Sequence, residues 1–281
     1  MAYFSGFIAT PTKIRNFLEC PKKYFFYHVN PQTKRLFPEK SYFTLGHHVH
    51  NTLRDFFVQE ANARTEEMLM GLFETAWQSQ VGIAGGFKTP QEETEFKERG
   101  VAMLKRFLET ENWTVTPRYL PEKEGEFPGY QQATVDSELA FGGIVDRIDE
   151  EPDGSLHIID YKTGRNDDPD EWQLPMYAVL VSRMYGRAVG KTSYIMLEHG
   201  KRHTTEVTIE GNLEVIRKVK EVITQIPKSK LLSDFTCHLG ESCRHCNYLV
   251  ELGFDPKTGE KIKEVKEEKA QEQLFSADLP F

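Results

Sequence analysis

The sequence predicts a mixed α/β chain, with a central mixed sheet flanked by helices and a helical N-terminal lobe. Three observations carry this. Short runs rich in Ile, Val and Tyr fall between about positions 131 and 209, punctuated by turn signals such as Asp153-Gly154. An amphipathic segment from Asp170 to about Tyr185 interrupts those runs, giving the order strand, strand, helix, strand. Ahead of them the apolar residues recur at helical spacing, as Phe96, Met103, Leu104, Phe107 and Leu108 do.

Taken in order, residues 10–30 read as a helix around Thr12 to Leu18, with Thr10 or Thr12 able to cap it. Phe43 to Gln80 reads as two helices and Pro90 to Glu111 as a third, so the helical lobe covers about 44–111. Strands are expected at about 131–149, 155–162, 191–197 and 203–209, and a further helix near 212–226, so the core runs from about 130 to 226. The first 250 residues form one domain on this reading. Residues 251–281 are a charged linker, with Lys-Glu-Val-Lys-Glu-Glu-Lys inside it, and a short apolar tail.

Composition narrows the class. With 39% hydrophobic and 28% charged residues the chain can bury a sizeable core. No apolar run reaches membrane-spanning length. Four cysteines in 281 residues, with no signal peptide, do not fit a secreted disulfide scaffold and point to the cytoplasm. A net charge of −8 is unlike that of a nucleic-acid binder. Basic residues nevertheless pair locally, at Lys13/Arg15, Lys22/Lys23, Lys34/Arg35, Arg183/Arg187, Lys201/Arg202 and Lys228/Lys230, so a basic channel on an acidic body is compatible with the sequence.

The chemistry concentrates in Gly143-Ile-Val-Asp146-Arg-Ile-Asp149 and Ile158-Ile-Asp160-Tyr161-Lys162-Thr-Gly164. Asp160 and Lys162 are two apart and share one face of a strand, while Ile159 and Tyr161 point the other way into packing. Asp146 lies among Ile144, Val145 and Ile148, where a carboxylate needs a partner. Two carboxylates converging at a strand edge suit Mg²⁺ or Mn²⁺, and a lysine beside them can hold a water or stabilise charge on a phosphate. Gln173 and Tyr177 are four apart, so they share a helical face. Upstream, Gly46 permits close approach of backbone, and His50 lies one helical turn beyond it.

The ordered set Gly-x-x-x-His, Gly-x-x-Asp, Asp-x-Lys and Gln-x-x-x-Tyr resembles the PD-(D/E)XK nuclease superfamily, in particular its RecB-like exonuclease branch, over about residues 10–250. The matching residues are Gly46 and His50, Glu138, Gly143 and Asp146, Asp160 and Lys162, and Gln173 and Tyr177. The resemblance implies a restriction-endonuclease-like fold and a metal held by His50, Asp146, Asp160 and the Tyr161 carbonyl. It also implies that Lys162 orients the water, that Gln173 and Tyr177 support Lys162 and the phosphate, and that Glu138 stands behind the metal ligands. On this reading the helical lobe lies over a cleft through which single-stranded DNA threads.

Cys20 stands far from Cys237, Cys243 and Cys246, which are spaced C-x5-C-x2-C. Four thiolates suit a 4Fe–4S cluster or a tetrahedral Zn²⁺, and spacing alone does not separate the two. His238 and His245 stand beside the trio as alternative zinc ligands. One distant cysteine followed by a trio resembles the iron–sulfur nucleases of the same branch, helicase-associated and CRISPR-associated, and Asn16-Phe-Leu-Glu-Cys20-Pro-Lys-Lys-Tyr24 resembles their first cysteine motif. The order of long and short gaps in the trio is the reverse of that expected for several relatives. The cluster would staple the first helix to the C-terminal segment.

In the tail, Gln271, Leu274 and Phe275 resemble a sliding-clamp-binding motif, and Asp278-Leu-Pro-Phe281 resembles the end of bacterial single-stranded-DNA-binding protein. The sequence therefore points to a Mg²⁺- or Mn²⁺-dependent DNA exonuclease acting on single-stranded ends in repair, recombination or replication, nucleoid-associated or phage-encoded. The alternatives are an endonuclease with the same site, and a non-catalytic iron–sulfur DNA-binding subunit of a larger complex.

Overall fold

The computed structural model describes residues 4–30, 38–123, 129–166, 168 and 170–260. The chain divides into two compact units, residues 1–12 with 38–221, and residues 13–37 with 222–281. Among the described residues no helix is long and apolar enough to cross a membrane. The tail motifs at 271–281, and the pair Lys34/Arg35, lie outside the described residues.

The larger unit opens with β1 (Phe7–Ala9). The helix α1 (Pro11–Glu19) and the single turn α2 (Pro21–Tyr24) follow it in the chain. Next come α3 (Ser41–Val58), α4 (Glu66–Trp77) and α5 (Pro90–Thr110). Thr65 and Thr89 cap α4 and α5 by accepting from the Met68 and Glu92 amides. Strands β2 (Tyr130–Thr134), β3 (Leu139–Ile144), β4 (Arg147–Glu150) and β5 (Leu156–Lys162) follow. Then come α6 (Gln173–Tyr185), β6 (Val189–Met196), β7 (Lys201–Glu206) and α7 (Ile209–Gln225).

Two mixed sheets result. One has the order β1-β3-β2, with β1 parallel and β2 antiparallel to β3. The other has the order β4-β5-β6-β7, in which only the β5–β6 pair is parallel. The sequence predicts one strand over 131–149; the stretch instead holds three, turning back between β2 and β3 and breaking again at Val145-Asp146, where the chain passes from the first sheet to the second. The Asp153-Gly154 signal does make the β4–β5 turn, with Gly154 at φ 83°.

Alternation along β5 places Ile159 and Tyr161 in the apolar core with Leu45, Val49, Leu53 and Phe56 of α3, Phe73 and Trp77 of α4, and Met103, Leu104 and Phe107 of α5. Asp160 and Lys162 therefore face the other side, where α6 packs on β2, β3, β5 and β6. The helix α6 is buried along most of its length, and Gly186 in the left-handed region ends it. This is the mixed α/β, restriction-endonuclease-like arrangement that the sequence predicts.

In the smaller unit, residues 10–30 are not one helix. Cys20 is extended (φ −166°) ahead of Pro21, which disfavours helical backbone at the residue before it. Tyr24, Phe25 and Phe26 pack around Phe235 and Phe254, with ring centroids 5.2–6.4 Å apart. The last helix, α8 (Arg244–Glu251), starts at Cys243.

Candidate active site and cysteine cluster

The site forms where β4 and β5 part. Arg147 pairs with Ile159 in register, so Asp146, one residue earlier, stands opposite Asp160 just beyond the end of β4. The Tyr161 amide donates to Asp146 Oδ2 at 2.9 Å, and His50 Nδ1 shares a hydrogen bond with Asp146 Oδ1 at 2.9 Å. The Leu197 amide donates to the Lys162 carbonyl, so Lys162 bonds toward β6. By alternation the Tyr161 carbonyl points toward β4, and β4 has already ended there. It is directed to the same edge as the Asp146 carboxylate.

Gly46 brings α3 close to this edge: a Cβ there would come within 3.2 Å of Thr163 Oγ1. That approach carries His50, one turn later, against the Tyr161 ring, at 6.1 Å between centroids. Burial opposes protonation of His50, but Asp146, with Asp160 behind it, outweighs burial and holds the imidazole above its ordinary pKa.

Asp160 is 3% exposed. Its Oδ1 accepts from Gln173 Nε2 at 2.7 Å. Its Oδ2 lies 2.7 Å from Lys162 Nζ, in an ion pair. Burial is the largest influence on this carboxyl and, with Asp146 adding to it and Lys162 opposing, raises it to about 6. Gln173 Oε1 in turn accepts from Lys162. One amide thus joins the two groups and fixes the lysine.

Gln173 is the first residue of α6, and Asp170 Oδ1 holds that turn by accepting from the Trp172 and Gln173 amides. Tyr177, one turn on, is buried and meets Gln173 and the Ile144 backbone. It packs on Gly143, where a Cβ would come within 2.5 Å of its ring. Tyr177 therefore stands behind Gln173 rather than on an open surface.

A cleft of about 500 Å³ gives access. Tyr42, Phe43, His50 and Arg54 of α3 line one wall, and Ile144, Asp146 and Thr163 line the other. Asp160 and Lys162 sit behind the second wall.

The structure brings together His50, Asp146, Asp160, Tyr161, Lys162, Gln173 and Tyr177. It does not bring Glu138 to them, because that side chain is exposed at the start of β3, at the other end of the strand from Ile144. Two of the basic pairs are also committed elsewhere: Arg187 to Glu150 and Arg202 to Glu111.

One supporting residue was missed by sequence reasoning. Arg147, 2% exposed, pairs with Asp149, donates to the Tyr161 hydroxyl at 3.3 Å and lies over the Phe57 ring at 4.1 Å. It holds the core side of β4 and β5 while Asp146 and the Tyr161 carbonyl occupy the edge. The signal was present, since Arg147 and Asp149 are two apart on a strand.

The donor set fits a hard divalent cation. It comprises an imidazole, two carboxylates and a strand carbonyl, and the buried Asp160 Oδ2 has the Lys162 ammonium 2.7 Å away.

A family model described as PD-(D/E)XK nuclease superfamily matches residues 9–250. The chain belongs to that superfamily. The match spans both the carboxylate site and all four cysteines, and the superfamily assignment makes this protein a metal-dependent nuclease. No curated protein matches the chain.

The cysteines lie in the smaller unit. All four are free, and their Sγ atoms lie within 4.8 Å of one another, with Cys20 and Cys246 at 3.9 Å. The extended turn at Cys20 and the start of α8 present them. His245 does not join the set, because its Nε2 lies 3.2 Å from Glu19 Oε2. His238 is not among the gathered groups. Burial, then the neighbouring thiols, raise Cys20 to about 12 and also raise Cys246. Burial pushes Cys243 up, but the Cys246 amide, the Cys237 side chain and the His245 amide outweigh it and hold it low. Four thiols so close favour binding of a metal that displaces their protons. Sulfurs around a single Zn²⁺ at about 2.3 Å lie about 3.8 Å apart. The Cys20–Cys246 distance of 3.9 Å is close to that, and the other pairs lie within 4.8 Å.

Proposed function

We propose that this protein is a Mg²⁺- or Mn²⁺-dependent DNA exonuclease of the RecB-like branch, acting at single-stranded ends. The observation that carries the reading is the buried Asp160, joined to Lys162 and Gln173 and facing Asp146 and His50 across the parted strands. His50, Asp146, Asp160 and the Tyr161 carbonyl are the groups that would hold the metal. A divalent ion there supplies Lewis-acid stabilisation of the phosphate and an acidified water.

The chain's own residues do the remaining work. Gln173 fixes the direction of Lys162, whose ammonium holds a water beside the scissile phosphate and donates to the charge that develops on it. Asp146 keeps His50 oriented. Tyr177, wedged on Gly143, keeps Gln173 from turning away. The side chains at the cleft mouth accept a single strand whose end enters the cleft.

For the cysteines, resemblance supports a 4Fe–4S cluster and the sulfur spacing supports Zn²⁺. Absorbance near 400 nm with iron analysis, against zinc analysis, separates them.

The test of the exonuclease reading is digestion of end-labelled linear and of circular single-stranded DNA with Mn²⁺. Degradation of linear DNA alone is the expected result. Cutting of circles makes the protein an endonuclease, and tight DNA binding with no cleavage makes it a binding subunit.

A further inference from the structure

We propose that Tyr42 and Phe43 form a stacking step at the cleft mouth, on which an unpaired base of the substrate strand rests while its phosphate enters the site. The proposal rests on the nuclease reading above. Among the described residues, large aromatic side chains are exposed at three positions only: Tyr42 at 51%, Phe43 at 63% and Tyr130 at 40%. Two of the three are neighbours in the first turn of α3, with ring centroids 4.5 Å apart.

The core does not need them, because α3 buries Leu45, Val49, Leu53 and Phe56 on its other side. Aromatic area is ordinarily covered when packing allows. Here it lines the cleft that also holds His50 and Asp146.

Distance and charge both suit a nucleotide. From Phe43 to His50 is 50 − 43 = 7 residues, about 10 Å along a helix. A base on the step and a phosphate of the same strand at the site can therefore be occupied together. Lys40 Nζ lies 5.8 Å from the Tyr42 ring centroid; Arg54 also lines the cleft further along α3, where it is paired with Asp55. Cations beside exposed rings are the pattern that binds single strands, with the ring taking the base and the cation the phosphate. Every base has a π face, so the step is tolerant of sequence. A base paired inside a duplex has both faces covered by its neighbours, so the step favours unpaired bases.

The test is binding of an oligodeoxynucleotide carrying 2-aminopurine near its end to the full chain, without added divalent ion. Fluorescence should be quenched on binding. The double variant Tyr42→Ala/Phe43→Ala should lose the quenching and bind about tenfold more weakly, equal to about 1.4 kcal/mol. Phe43→Trp should retain both, and an oligonucleotide with abasic terminal positions should not distinguish wild type from the double variant. Ile83→Ala, which removes a side chain 90% exposed off the cleft wall, should bind as wild type does. Unchanged quenching and affinity in the double variant overturns the proposal. Cleavage is scored separately with Mn²⁺, so loss of the nuclease reading and loss of the stacking step are distinct results.

Discussion

Gln173→Ala isolates the one side chain that touches both Asp160 and Lys162. It removes the acceptor for Lys162 Nζ and the 2.7 Å donor to Asp160 Oδ1. The ion pair between Lys162 and Asp160 at 2.7 Å remains, so the lysine stays nearby but loses its fixed direction. A hydrogen bond to a charged group contributes about 1.5–3 kcal/mol, so if the Lys162 bond alone is lost from the transition state the rate falls roughly 10- to 150-fold. Stability should fall by about 1–3 kcal/mol, because the buried Asp160 Oδ1 loses its Gln173 donor, while alanine suits a helix and the residue 173 amide keeps its bond to Asp170 at 3.2 Å. Single-turnover digestion of end-labelled single-stranded DNA at saturating Mn²⁺ reads the rate, and thermal unfolding reads the fold. A folded variant with a rate within twofold of wild type would refute the role given to Gln173.

Three further outcomes follow from the same geometry. Gly143→Ala drives a methyl to about 2.5 Å from the Tyr177 ring; overpacking of this kind costs about 1–3 kcal/mol, and urea unfolding should show that loss together with slower cleavage, whereas an unchanged rate contradicts Tyr177 as the backing for Gln173. His157, 4% exposed between Ser193 Oγ at 2.8 Å and Glu151 at 3.2 Å, is lowered from 6.5 to about 4, chiefly by burial with Lys191 adding to it. The fold therefore refuses a proton that the unfolded chain accepts: stability is complete above pH 6.5, falls as pH drops toward about 4, by at most about 3 kcal/mol, and His157→Gln should flatten that slope in denaturant titrations, while an identical slope in the variant argues against it. Cys243→Ser removes one of four gathered thiols, so bound metal by elemental analysis and the thermal midpoint should both drop; full stability with unchanged metal content contradicts a structural cluster.

What was legible in the sequence is what local period encodes. Asp160 and Lys162 could be placed on one face because they are two apart on a strand, and Gln173 with Tyr177 because they are four apart on a helix. The α/β order and the helices α3, α4 and α5 followed from apolar spacing in the same way. Asp146 was found but misplaced. Periodicity ran one strand through it and does not register a change of hydrogen-bonding partner, which is what occurs at Val145-Asp146. Glu138 failed for a related reason: an acid near a strand looks alike from sequence at either end of that strand. The pairs Arg183/Arg187 and Lys201/Arg202 looked basic in sequence, but Glu150 and Glu111, far away in the chain, neutralise Arg187 and Arg202. The break at Cys20 was readable, since Pro21 follows it. That Tyr42 and Phe43 stay exposed was not readable, because aromatics at the start of an amphipathic helix are ordinarily part of its buried face.

The central claim is that the parted strands β4 and β5 hold a metal-dependent phosphodiester-cleaving site. Its most direct measurement is the Mn²⁺ dependence of single-stranded DNA hydrolysis by wild type and by Asp160→Ala, beside circular dichroism and DNA affinity for each. The account predicts metal-dependent cleavage in wild type and loss of at least about 10³-fold in the variant, with the fold intact and DNA still bound. Equal cleavage by both proteins would place the chemistry elsewhere and contradict the account.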